Sequence, residues 1–331
     1  MPAFHARTVA EIEDWFDDHG LPYFAGDHAD RVERWLSRKR ITAVLVLIVA
    51  VSVAGGVGVA QLVDDGRAWG VFTGVALFLG LLGSFAGRLL RMGTMLRWAV
   101  RRTFGSLGLM LPLLTRALPL LLLAVTFLFI NAEVWQVASL MSRNVLWASV
   151  AFFAVIATAF LLVRLPEEVR KVEREVAGER LADCCAGTPA AEAAREITAE
   201  PADLPRFARA NLVLVLLFSQ AIQVLLLSLG LFAFFVVFGR LTIPDDTIIA
   251  WTQQSSVHDL PSLGKSLPIT NELFQVAVFL SSFAGLYFTV YAVNDQTYRS
   301  QFFAGLSTEL EQAVAVNAVY VSLPRDETVE R

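Results

Sequence analysis

Charge is scarce in this chain of 331 residues. Only 18% are Asp, Glu, Lys or Arg, where ordinary soluble domains carry about a quarter. With 56% hydrophobic residues beside it, that deficit makes a lipid bilayer the expected solvent for most of the chain. Cysteine is nearly absent. Cys184 and Cys185 are the only two, which excludes a disulfide-stapled scaffold, and no CxxC or neighbouring histidine completes a zinc set. Lysine is rare, 3 against 24 arginines, a bias of the kind a GC-rich bacterial genome imposes. The start, MPAFHARTVAEIEDWFDDHG, lacks the apolar core of a signal peptide. The sequence has no P-loop, HExxH or GxSxG and no selectivity-filter-like run. Spans 1, 4, 5 and 6, set out below, hold no internal carboxylate or amine, which disfavours a proton relay through the bilayer. The expectation is a protein that is not an enzyme and takes no cofactor, metal or nucleic acid.

What is present is a series of long apolar runs, which predict an all-α integral membrane bundle of six spans with amphipathic helices outside it. Residues 1–40 form a helical segment, with Thr8 and Glu11 read as a capping box and Gly20-Leu21-Pro22 as a stop. A second helix from about Asp27 leads into the membrane. Residues 41–165 hold spans 1 to 4: Ile41–Val63, Ala68–Gly87, Ala117–Trp135 and Asn144–Val163. Small residues four apart (Ser52, Gly56, Ala60 on span 1; Ala76, Gly80, Ser84 on span 2) predict that the first two spans pack closely, because the loop between them is short. Pro166 marks an exit or kink and opens a helical insert over 166–208, in which Val169, Val172 and Val176 share a face and Glu167 pairs with Lys171 at i,i+4. Residues 209–294 hold spans 5 and 6 with a loop over 240–272. A helix is expected from Asp245 to about Trp251. Span 6 carries another small-residue stripe, Ser281, Gly285 and Thr289. Residues 295–331 hold a last amphipathic helix (Phe302, Phe303, Leu306, Leu310, Val314) and a tail.

Charge segregation gives the orientation. If both termini face the cytosol, the inner segments hold 23 of the 27 basic residues. The outer loops hold only Arg67, Arg143, Arg240 and Lys265, as the positive-inside rule expects. The interfacial stretch 88–116 is purely basic. Arg88, Arg91, Arg97, Arg101 and Arg102 are candidate contacts for anionic lipid headgroups, with apolar neighbours dipping into the bilayer surface.

Four polar side chains are candidates for a polar path or for interhelical contacts. Asn131 and Glu133 sit at the end of span 3; the structural alternative pairs Glu133 with Arg143 or another helix. Gln220 and Gln223 lie three apart near the middle of span 5, as structural glue or as the lining of a path. Only 16 uncharged residues separate Arg116 from Glu133, short for a hydrocarbon core of about 30 Å. Span 3 is therefore a thin spot or the second limb of a re-entrant element entering over 107–115. His258 and Asp259 stand bare in the outer loop. His5, His19 and His28 match no metal-ligand spacing.

The segment LPLLLLAVTFLFINAEVWQVA, Leu118 to Ala138, with its polar end Asn131, Glu133, Trp135 and Gln136, resembles a segment of uncharacterised multi-pass membrane proteins of actinobacteria. GLPYF, Gly20 to Phe24, belongs to the same pattern. The resemblance implies a bacterial plasma membrane and no particular activity. Taken together, the sequence favours a membrane scaffold that binds a partner or a second protomer, with a channel or passive transporter through Asn131, Glu133, Gln220 and Gln223 as the alternative.

Overall fold

The computed structural model describes residues 2–24, 38–62, 70, 73–74, 77–78, 80–81, 84–85, 87, 92–105, 121–176, 179–196, 204–258, 260, 269–294 and 296–323. The expected helix from Asp27, the dip over 107–115, Arg88 and Arg91, and much of span 2 fall outside them. The described chain is all-α. Its helices are α1 (Pro2–Asp18), α2 (Arg38–Leu62), α3 (Met92–Gly105), α4 (Leu121–Phe129), α5 (Ala132–Ser139), α6 (Arg143–Glu175), α7 (Glu179–Cys184), α8 (Ala193–Glu196), α9 (Arg206–Thr242), α10 (Asp245–Thr252), α11 (Asn271–Asn294) and α12 (Gln296–Ser322). Stretches of α2, α6, α9 and α11 are long and apolar enough to cross a membrane, and α4 with α5 makes a fifth if that bent pair is one span. Their outer surfaces fit no aqueous solvent. Leu47, Val53, Phe152, Val155, Val163, Val237 and Leu241 are all exposed, a density of bare apolar side chains that a soluble monomer does not carry.

The chain divides into two compact units, residues 1–99, 176–215 and 312–331 in one, and 100–175 and 216–311 in the other.

In the first unit, α1 begins at Pro2, a residue suited to a first helical position. Thr8 therefore lies buried within the helix and does not cap it. The stop at Gly20 is as expected, and its mechanism is a Schellman motif. Leu21 N–H donates to Phe16 O at 2.7 Å and Gly20 N–H to Asp17 O at 3.2 Å, with Gly20 at φ +72°. Both of that motif's apolar partners, Phe16 and Leu21, are buried. Phe16 also stacks near Phe24 (5.0 Å) and edge-on to Tyr320 (5.8 Å), and the Tyr320 hydroxyl donates to the Glu13 carboxylate. Side chains Ala313 to Tyr320 on α12 are buried nearly all round. A face of α3 turns the same way: Met95 and Ala99 are fully buried, and a Cβ on Gly20 would lie 3.3 Å from Trp98 Cβ. These groups pack on protein, where the sequence suggests a bilayer surface.

The first two spans meet through glycine in the same unit. A Cβ on Gly56 would lie 2.7 Å from Gly70 O and 3.2 Å from Gly74 Cα. The stripe expected on span 1 is thus the contact face. Its partners are Gly70 and Gly74, while a Cβ on Gly80, in the stripe expected on span 2, would meet nothing within 4 Å. We predict that Gly56→Leu, forced against backbone that cannot swing aside, costs about 1–3 kcal/mol. Gly58→Leu, whose Cβ would sit in open space, leaves the thermal midpoint of the detergent-solubilised protein unchanged.

In the second unit, α6 continues for 33 residues straight past Pro166. Proline removes one backbone hydrogen bond, but Leu161, Leu165, Val169 and Val172 are buried along one face, and Arg164 pairs with Glu167 at 3.2 Å across the proline. Glu167 therefore does not pair with Lys171, which faces Glu175 at 3.8 Å. α11 packs along α6 and α5, and α10 on α5. The helix expected from Asp245 is α10.

Candidate functional site

The bend between α4 and α5 lies in the segment that the sequence reads as a short third span or as one limb of a re-entrant element. The two helices meet at 73°. Asn131 takes extended dihedrals (φ −92°, ψ 119°) and its side-chain oxygen accepts from Glu133 N–H at 2.8 Å, an N-cap that opens a new helix. Breaking a helix leaves carbonyls without partners. One of them, Phe129 O, is taken by Trp135 Nε1–H at 2.6 Å. Trp135 is fully buried, between Phe129 (5.6 Å) and Trp251 (5.7 Å). Phe129 in turn stacks on Phe235 at 4.8 Å. Glu133 lies in the first turn of α5, exposed, where the helix dipole favours a carboxylate.

The second candidate pair lies elsewhere. Gln220 is fully buried, and neither its amide nitrogen nor its oxygen has a partner among the described residues; Gln223 Oε1 is likewise unpaired. On α9, Gln220 stands about 22 Å along the axis, at 1.5 Å per residue, from Phe235, the residue level with the bend. The four candidate polar residues therefore form two separate pairs and not one lining.

A polar cluster that the sequence hides gathers at the start of α11. Glu272 is 2% exposed. It accepts from the His258 backbone N–H at 3.2 Å, and its other oxygen lies 2.8 Å from His258 Nδ1. Asn271 N–H donates to His258 O at 2.6 Å. Arg143 donates to Asn271 Oδ1 at 3.1 Å and lies over the Phe274 ring at 5.6 Å. The partner of Arg143 is thus Asn271, not Glu133. Gln275 Nε2 donates to Met141 O at 3.0 Å. These bonds pin two loops to one helix terminus. Sequence reasoning named Arg143 and read His258 as bare, whereas His258 is paired with Glu272; the signal it passed over was a carboxylate beside Thr270-Asn271.

Between α6, α9 and α11 runs a groove of about 490 Å³, lined by Trp147, Ala157, Leu225, Ser228, Phe274, Gly285 and their neighbours. Small residues make the room. At Gly285, Ser228 Oγ occupies the position a Cβ would need. The hydroxyls on its α11 side are spent on their own helix: Ser281 donates to Val278 O, Ser282 to Phe279 O and Thr289 to Gly285 O. The groove therefore presents an almost wholly apolar wall.

Of the basic side chains proposed for headgroups, Arg97 and Arg101 are exposed one turn apart on α3, and Arg102 lies in the same helix. In the first unit, Cys185 is buried and Cys184 partly exposed. Burial, with Cys184 as a smaller contribution, pushes the Cys185 thiol up to about 12. Cys185 then stays a thiol at pH 8 and reacts poorly. Maleimide at that pH should label Cys184 alone in the native protein and both after denaturation, counted by intact mass. The same shift has a stability consequence. The native state holds this proton more tightly than the unfolded chain, so its contribution is complete below about pH 9 and is lost as pH rises toward 12. No group of three or more His, Cys, Asp or Glu able to hold a metal occurs among the described residues.

Comparison with protein-family models, with curated proteins and with solved structures finds no match to this chain.

Proposed function

We propose that this chain is a six-span plasma-membrane scaffold of bacterial type, with a folded helical head on the cytosolic side that presents a surface to a partner protein. The observation that carries it is Asn211. Buried in the first unit, it donates to Gly20 O at 3.0 Å and accepts from Tyr23 N–H at 3.2 Å. Tyr320 joins Glu13 in the same unit, and Gly20 rests on Met95 and Trp98. Four segments separated by apolar runs thus converge on one body. They must share one side of the membrane, so an even number of crossings lies between each pair in succession. That supports two crossings between Phe24 and Met95, two between Ala99 and Val176 with α4 and α5 counted as one, and two in α9 and α11. The positive-inside bias supports the cytosol as the side of the head.

The test uses the full chain in native membranes. A photocrosslinking residue at exposed Asp183 or Ala186 is expected to give a discrete adduct with one protein species, while purified protein in liposomes conducts no ions or small solutes. Flux together with absent adducts at both positions would sink the scaffold reading. One observation favours the alternative of a passive path: the unpartnered amide of Gln220, a group that costs about 1–3 kcal/mol if left dry. Gln220→Leu separates the two. It raises stability without functional loss in a scaffold, and it abolishes flux in a channel.

A further inference from the structure

We infer that the groove between α6, α9 and α11 holds one acyl chain of a membrane phospholipid, with the lipid phosphate held at Arg143. This goes beyond the scaffold reading and requires only that these three helices cross a bilayer. The wall selects the chain. Its α11 hydroxyls are bonded to their own backbone, so a polar solute would find few donors or acceptors there, whereas hydrocarbon loses nothing.

Length matches the groove to an acyl chain. The lining runs from Trp147 to Leu161 on α6 and from Phe274 to Thr289 on α11, about 21–22 Å at 1.5 Å per residue. One leaflet of a hydrocarbon core of about 30 Å is roughly 15 Å deep, so the groove accommodates a chain from headgroup level to the bilayer middle. The groove is continuous with the lipid-facing surface, for Leu225, Leu229 and Trp147 line it and are each more than half exposed.

The mouth supplies the charge. Arg143 lies over the ring of Phe274, which lines the groove, and its bond to Asn271 fixes the guanidinium there with other N–H groups left to donate. Trp147, one helical turn on, has the amphipathic ring favoured at headgroup level. A phosphate oxygen is the acceptor that such a guanidinium binds best.

The experiment reconstitutes the full chain in nanodiscs that contain phosphatidylglycerol with a diazirine in one acyl chain. After irradiation, labelled residues are mapped by mass spectrometry. Labels are expected to concentrate at the groove, near Ala157 and Ser282, over the outward residues Val155 and Val163. Ala157→Phe, which fills the groove, should reduce that labelling about tenfold, and Arg143→Gln about tenfold through loss of one charge-assisted contact. Val155→Phe should leave it unchanged, and Ser282→Phe replaces Ala157→Phe if the latter does not fold. Excess oleate should not compete; competition would mean a free carboxylate is the true occupant and overturn the phospholipid assignment. Even labelling along the exposed faces, or crosslinks from groove residues to a second copy or another segment of this chain, would overturn the proposal as a whole.

Discussion

Trp135→Ala will destabilise this protein by about 3–5 kcal/mol, the usual cost of emptying a fully buried tryptophan site, and the loss will be larger than for any other single aromatic in the second unit. Two effects add. The ring leaves a void between Phe129 and Trp251, and Phe129 O loses the indole N–H that completes it at the broken helix end. Trp135→Phe separates them, keeping most of the packing while losing the hydrogen bond, and is expected to cost about 1–2 kcal/mol. The measurement is the thermal midpoint in detergent, followed by loss of the monodisperse peak on size exclusion. If Trp135→Ala shifts the midpoint no more than Trp147→Ala, which removes a half-exposed ring, then the bend is not held by this residue. A bend fixed only by chain stiffness would be indifferent to the change.

Asn211→Leu should have a comparable effect in the first unit. The amide is 1% exposed and serves two backbone groups, Gly20 O and Tyr23 N–H, that lie about 190 residues away in the chain. Leucine fills the space and removes both of these buried hydrogen bonds, at about 1–3 kcal/mol each. Asn211→Asp keeps the acceptor for Tyr23 and loses the donor for Gly20, so it should fall between leucine and wild type. Limited proteolysis reads this directly. The segment around Gly20–Phe24 should become cleavable in Asn211→Leu while α6 and α11 remain protected. Uniform loss of protection along the whole chain would mean that the first unit has no stability of its own.

The two residues illustrate different kinds of legibility. Asn131, Glu133 and Trp135 stood out in the sequence because polar groups interrupt an apolar run. Their chemistry was legible; their arrangement was not. A run of 16 uncharged residues fits a short span or a bent element equally well, and only the Trp135 to Phe129 bond and the Asn131 cap distinguish them. Asn211 gave no signal at all. One asparagine at the start of a long apolar helix is indistinguishable from an interfacial residue until the turn at Gly20 is placed beside it. Arg143 is intermediate. Its need for a partner was evident, but the choice of Asn271 over Glu133 depended on the helix that brings Asn271 within reach.

The sequence by itself determined the helical class, the long apolar segments, the charge asymmetry between the loops, the close-packing stripe on span 1 and the helix stop at Gly20. Each of these is local: transfer free energy is summed along one segment, and a turn or a glycine stripe is written in consecutive residues. The tertiary structure decided which glycines face Gly56, that span 3 breaks at Asn131, that the candidate polar residues fall into two separate pairs, and that three helices leave a groove between them. Those outcomes depend on contacts between residues far apart in the chain, and periodicity within one helix says which face is apolar without saying what meets it.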